Sequence, residues 1–223
     1  MLIGLMGQPG AGRAAVARSL VAWGWHSIGF GDALRVEVAA AWGIDERLLM
    51  ARSRQHHPTP QLAVGGANSA GWLEWASMRG HSLVQARTPA WVLQHWAQFR
   101  LAMDPQWWVK PVAYWVRLEQ QQAERRGAEA MLVITDCTPG LGAASVRGLG
   151  GYLVRVHRPQ LQGDARATEP GSTAGGAPVD EDIINDAGLP ELSAEVARVV
   201  RSLQARERVA GLRDAHGSLG ATR

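Results

Sequence analysis

The stretch that decides the fold is Leu2-Ile3-Gly4-Leu5-Met6-Gly7-Gln8-Pro9-Gly10-Ala11-Gly12-Arg13-Ala14-Ala15-Val16. Five apolar residues run into a glycine-rich segment, and the segment runs into a helical pattern with Val16, Leu20 and Trp23 on one face. The first part reads as a buried parallel strand and the last as an α-helix. Residues Gly7, Gln8, Pro9, Gly10, Ala11, Gly12, Arg13 and Ala14 align in register with G-x-x-x-x-G-K-[ST], a loop whose backbone N–H groups turn inward around phosphates. The helix N-terminus behind such a loop adds a positive dipole end. Arg13 stands where the lysine belongs, and Ala14 where a hydroxyl would hold Mg²⁺. Arg13 keeps the charge on a broad planar fork in place of a point charge. Ala14 has no atom with which to hold a metal.

Outward from the loop, short apolar runs alternate with helical patterns. Trp25 to Phe30, Met131 to Thr135 and Tyr152 to His157 read as strands. Asp32 reads as the N-cap of a helix through Trp42, and Thr88-Pro89 as N-cap and first residue of a helix to about Met103. A long helical stretch is predicted from Pro105 to near Gly127, with Pro111 one turn in as a break point. Residues 159–181 are rich in Gly, Pro, Ala, Thr and Asp and read as a lid-like insert. An amphipathic helix runs from Pro190 to about Ala205, leaving a frayed tail over 206–223. Strands alternating with helices predict an α/β fold with a mainly parallel sheet flanked by helices, in one domain over 1–205.

The chain has 223 residues, of which 46% are hydrophobic and 19% charged, the make-up of a globular core. Lys110 is the only lysine among 23 basic residues, and the net charge is only +3, a weak basis for nucleic-acid binding. The arginine excess reads as codon bias. One cysteine, Cys137, excludes a disulfide framework and a cysteine-rich zinc site. No apolar run reaches the ~18 residues of a membrane span, and the N-terminus lacks a basic leader, so a cytoplasmic protein is expected. His56-His57 has no partners at metal spacing.

Seven segments, taken in order, carry a resemblance. They are the loop itself, Phe30-Gly31-Asp32-Ala33-Leu34-Arg35, Thr88-Pro89-Ala90-Trp91-Val92-Leu93-Gln94, Asp104-Pro105-Gln106-Trp107-Trp108, Leu132-Val133-Ile134-Thr135-Asp136, Gly150-Gly151 with Leu153 to Pro159, and Asp182-Ile183-Ile184-Asn185-Asp186 with Gly188 and Leu192. Together they resemble the P-loop deoxynucleoside monophosphate kinase family common in phages and prophages, over about residues 1–200. The resemblance implies a P-loop NTPase fold, ATP and Mg²⁺ as cofactors, and nucleotide substrates. Arg13, Asp32, Asp136 and Arg158 would be catalytic, with Asp136 on the metal. Asp32, Arg35, Arg87, Trp91 and Gln94 would meet the acceptor nucleotide, and Arg155, Arg158 and Arg166 would belong to the lid.

The departures are chemical. The family's T-P-R arginine is Ala90 here, and its D-V-R-F-P-N-E becomes Asp136-Cys137-Thr138-Pro139-Gly140-Leu141-Gly142. Two functions therefore stand side by side: an active (deoxy)nucleoside monophosphate kinase, and a catalytically inactive P-loop protein that binds nucleotide for regulation or interaction. A different small-molecule kinase, such as dephospho-coenzyme A kinase, shares the opening but not the Thr88 helix. The oligomeric state, a homodimer included, is left open.

Overall fold

A computed structural model describes residues 1–163 and 178–219. The chain divides into two compact units, one of Met1–Ile28 with Trp115–Arg223 and one of Gly29–Tyr114.

The first unit is built on five strands, β1 (Leu2–Met6), β2 (His26–Ile28), β3 (Leu132–Ile134), β4 (Tyr152–His157) and β5 (Glu181–Ile184). They lie in the order β2-β3-β1-β4-β5, and every pairing is parallel. The loop strand β1 is therefore central, as its unbroken apolar run requires. Side chains alternate across a strand. Ile3 and Leu5 point to the face covered by α1 (Arg13–Ala22) and α8 (Leu189–Leu219), where they join Val16, Leu20, Val196, Val199 and Leu203 in one buried cluster. Gly4 points the other way, toward α7 (Leu141–Gly148), and a Cβ there would lie 2.8 Å from Cγ2 of Val146. Glycine in mid-strand thus lets α7 sit directly on the sheet. Each large apolar side chain buried this way contributes ~1.5–3 kcal/mol.

Three features here depart from the sequence reading. β5 begins at Glu181, inside the stretch read as insert, because Ile183 is buried against α8 and Asp180 caps the edge by accepting from the Leu153 N–H at 2.7 Å. The α7 helix follows Gly140, whose φ of +78° turns the chain into it, and was not anticipated. The last helix continues to Leu219. Arg198 and Arg206 tie it to β5 through the nearly buried Glu181, at 3.4 and 2.7 Å.

The second unit contains α2 (Phe30–Trp42), the single turn α3 (Arg47–Met50), three short 3-10 turns over 52–66, α4 (Ala70–Met78), α5 (Pro89–Met103) and the start of α6 (Val109–Arg125). Its core is aromatic: Trp42, Trp72, Trp75, Trp96 and Phe99 are all buried. Trp72 stacks on Trp75 with centroids 5.4 Å apart and meets Trp42, Trp96 and Phe99 in edge or tilted contacts. Indole N–H groups need acceptors when buried. Trp42 finds one in the carbonyl of Ala63 at 2.9 Å, and Trp72 in that of Val64 at 3.2 Å, so the loop backbone is stitched to the core. Thr88 caps α5 as predicted, accepting from the Trp91 N–H at 3.0 Å.

The long stretch predicted from Pro105 starts instead at Val109. Asp104 holds a turn there by accepting from the Gln106 N–H at 3.0 Å, and Pro111 falls in the first helical turn, where its missing N–H costs nothing. Among the described residues no helix is long and apolar enough to cross a membrane.

Candidate functional site

The loop of residues 7–14 leaves the carboxyl end of the central strand, the edge where open α/β sheets place ligands. Its glycines are required by geometry at two positions. Gly7 has φ +141°, and a Cβ there would lie 2.4 Å from the backbone carbonyl of Val156 in β4. Gly12 has φ +107°, and a Cβ there would lie 2.2 Å from Nδ2 of Asn185. Gly10 also takes a positive φ, +83°. Gln8, Pro9 and Gly10 are exposed, while Ala11 is buried and anchors the loop in the core.

Gly12 is the N-cap of α1; its carbonyl accepts from Ala15 at 2.8 Å and Val16 at 3.0 Å. The first turn of α1 carries no acidic residue. The orphan N–H groups and dipole end of that turn carry Arg13, half-buried, at the first helical position. Ala14 is exposed beside it.

Asn185 holds this loop in place. It follows β5, its N–H donates to the carbonyl of His157 at 2.7 Å, and its side-chain amide donates to the carbonyl of Ala11 at 2.8 Å. One asparagine so fixes the loop to the far end of the sheet and turns a carbonyl away from the space that N–H groups must line. Asn185 belongs to the closing segment of the resemblance, but spacing alone gave no hint of a partner 174 residues away.

Two further predicted residues come to the same sheet edge. Asp136 lies two residues past β3, beside β1. Arg158 follows β4, and its carbonyl accepts from the Leu161 N–H at 3.0 Å. Cys137, next to Asp136, is buried; burial first, then the Asp136 charge, pushes its thiol up to about 12, against the opposing pull of Arg13. The thiol is a packing group. Arg155 corrects an expectation. It is a residue of β4, and its guanidinium grips Asp182 of β5 at 2.6 and 3.1 Å because the register sets the two residues opposite one another. It belongs to the sheet rather than to a lid. Arg166 lies outside the described residues.

The remaining predicted residues belong to the second unit. Asp32 is not the N-cap of α2. Gly29 takes that place, and Asp32, three residues on, reaches back to accept from the Gly29 N–H at 2.6 Å. Its other carboxylate oxygen pairs with Arg35. Glu46 stands 3.6 Å from Nε of Arg35. The predicted acceptor pair is therefore together, and already mutually engaged.

Trp91 has both ring faces covered. The imidazole of His95 stacks at 3.8 Å and 18°, which leaves no room on that face for the Arg87 guanidinium, 4.3 Å from the ring centre. Stacking on a base would require displacing one of them. Gln94 is exposed on α5. Of the ring partners of Trp91, His95 lies one turn on along α5, while Trp72 and His81 come from α4 and the loop after it.

No family model matches the chain, and no curated protein matches it. Among solved structures, TT1252 from Thermus thermophilus aligns over 92% of this chain and 97% of its own, at 18% identity and a TM-score of 0.44. An unliganded sugar kinase from Janibacter sp. HTCC2649 aligns over 91% and 94%, at 12% identity and a TM-score of 0.38. Similarity this distant says nothing of substrate, and the α/β architecture rests on the sheet order and the strand–loop–helix unit.

Proposed function

We propose that the chain is a nucleotide-binding P-loop protein that performs ATP-dependent phosphoryl transfer to a nucleoside or deoxynucleoside monophosphate. The observation that supports this reading is the loop itself: glycines at positive φ, an exposed tip, an acid-free helix N-terminus and a half-buried arginine at its first residue. Phosphoryl transfer needs little covalent chemistry from a protein; positioning and charge neutralisation do most of it. The loop N–H groups would hold the ATP phosphates. Arg13 and Arg158 would offset the charge that develops on the transferred group. Asp32 and Arg35 would orient the acceptor, and Asp32 would have to release Arg35 to act as a base.

Magnesium accompanies ATP in this chemistry. The side chains fit it poorly: Ala14 offers no oxygen, and among the described residues no group of three or more His, Cys, Asp or Glu is arranged to hold a metal. Asp136 is the residue that would meet it, directly or through water.

A second reading, binding without transfer, is favoured by the same Ala14 and by the covered faces of Trp91. A coupled assay over a panel of monophosphates with ATP and Mg²⁺ separates the two. Turnover above about 1 s⁻¹, the low end for kinases, establishes the transferase. Calorimetric ATP binding without turnover establishes the binder, and neither would refute both.

A further inference from the structure

The exposed tip of the phosphate loop is packed by one side chain from elsewhere in the first unit. Gln8, Pro9 and Gly10 are exposed, and Gly10 sits at φ +83°. A Cβ at Gly10 would lie 3.5 Å from Cδ1 and 3.9 Å from Cδ2 of Leu161. Among the described residues nothing else outside residues 9–11 comes within 4 Å of that point. Leu161 belongs to a short 3-10 turn, Pro159–Gly163, which follows Arg158 past the end of β4. Its side chain is half-buried against the same core cluster that holds Ala11.

The turn is itself tied down on two sides. The Leu161 N–H donates to the carbonyl of Arg158 at 3.0 Å, and the Gln160 side-chain amide donates to the carbonyl of Asp186 at 3.2 Å. Asp186 is the neighbour of Asn185, whose own amide grips the Ala11 carbonyl at 2.8 Å. Root and tip of the loop are therefore held by different side chains, Asn185 at Ala11 and Leu161 at Gly10, and both holds lead back to the residues after β5.

A glycine-rich segment has many backbone shapes open to it, and its N–H groups converge on a phosphate in few of them. An exposed stretch with few packed neighbours opens at a small free energy. Apparent affinity falls by the fraction of time spent outside the competent shape. Leu161 is apolar and brings neither charge nor hydrogen bond to a phosphate. What it can do is hold the tip.

We propose that Leu161 and Gln160 are positioning residues of the nucleotide site, forming a brace that keeps the tip of the phosphate loop in the shape that takes up phosphates. The inference rests on the reading of residues 7–14 as a nucleotide-binding loop. The brace acts through the loop backbone, so it serves a chain of phosphates with or without a base attached. It also starts at the Arg158 carbonyl, so the residue assigned to the transferred group is tethered to the same turn.

ATP and inorganic triphosphate, each with Mg²⁺ and titrated by calorimetry into the full chain, separate a brace from a direct contact. Leu161→Ala should weaken both about fivefold and by the same factor, the effect of removing half-buried methyl groups. Gln160→Ala should weaken both about threefold, the loss of one hydrogen bond. Leu161→Met keeps the apolar volume and should restore most of the affinity. In the ligand-free chain, Leu161→Ala should quicken hydrogen exchange at the amides of Gln8 and of Gly10 to Gly12, while β1 and β3 keep the parent rate. Gln160 is exposed, so its variant carries the test if Leu161→Ala does not fold. A loss confined to ATP would overturn the brace and make Leu161 a contact for the base or sugar. Unchanged binding of both probes, or unchanged exchange in the loop, would overturn it as well. A parent that binds neither probe refutes the nucleotide reading itself, and the brace with it.

Discussion

The two units solve the problem of holding a site by opposite means. In the first, the loop of residues 7–14 is fixed by backbone: two glycines fit against a carbonyl of β4 and the amide of Asn185, with little side-chain mass involved. In the second, the predicted acceptor residues hang on an aromatic core in which Trp72 touches Trp42, Trp75, Trp91, Trp96 and Phe99. A backbone-held site is intolerant of a single methyl group. A ring-held site tolerates surface changes but depends on a few large side chains.

The largest test of that contrast is Trp72→Ala. It should cost the second unit about 3–5 kcal/mol, and hydrogen exchange should show the loss of protection confined to residues 29–114. A uniform loss across both units would mean that the division is not energetic. Gly7→Ala comes next. Its Cβ meets a main-chain oxygen that cannot swing away, at a φ that disfavours L side chains, so about 2–4 kcal/mol should be lost from the first unit. Thermal unfolding of this variant unchanged from the parent would contradict the loop geometry.

Asn185→Ala removes one hydrogen bond to the Ala11 carbonyl and should cost about 1 kcal/mol. It should weaken ATP binding by more than that loss of stability implies, and Asn185→Asp should not restore it, since a carboxylate repels the carbonyl.

The smallest effect is one of pH. Burial and cationic neighbours hold His81 below the ordinary histidine range. The unfolded chain therefore takes up a proton below about pH 6.5 that the folded one resists, and stability falls on acidification through that value. His81→Gln should flatten this slope in the second unit and leave the first unchanged, measured by denaturant unfolding at a series of pH values.

Much of the first unit was legible in the sequence because its rules are local. An apolar run, a glycine loop and a capped helix announce themselves within 15 residues, and the parallel sheet follows from their alternation. β5 was missed because Glu181-Asp182-Ile183-Ile184 shows one buried side chain in four, its Ile183. Its partner strand, β4, pairs with it across a separation of 27 residues. Asp32 was misread as a cap because Asp is a favoured cap. Only the structure shows Gly29 in that place, with Asp32 answering from the first turn of the helix. The second unit was the less legible. Ten tryptophans in the chain are a composition, and which rings share a cluster depends on four helices packing together.

The central claim is that residues 7–14 bind the phosphates of a nucleoside triphosphate despite Arg13 and Ala14. The most direct measurement is calorimetric titration of ATP with Mg²⁺ into the parent and into the double variant Arg13→Lys, Ala14→Thr. A compact ammonium and a metal-ligating hydroxyl should raise the affinity about tenfold or more, the effect of one restored charge-assisted contact. An affinity identical in parent and variant would mean that this loop is not where nucleotide binds.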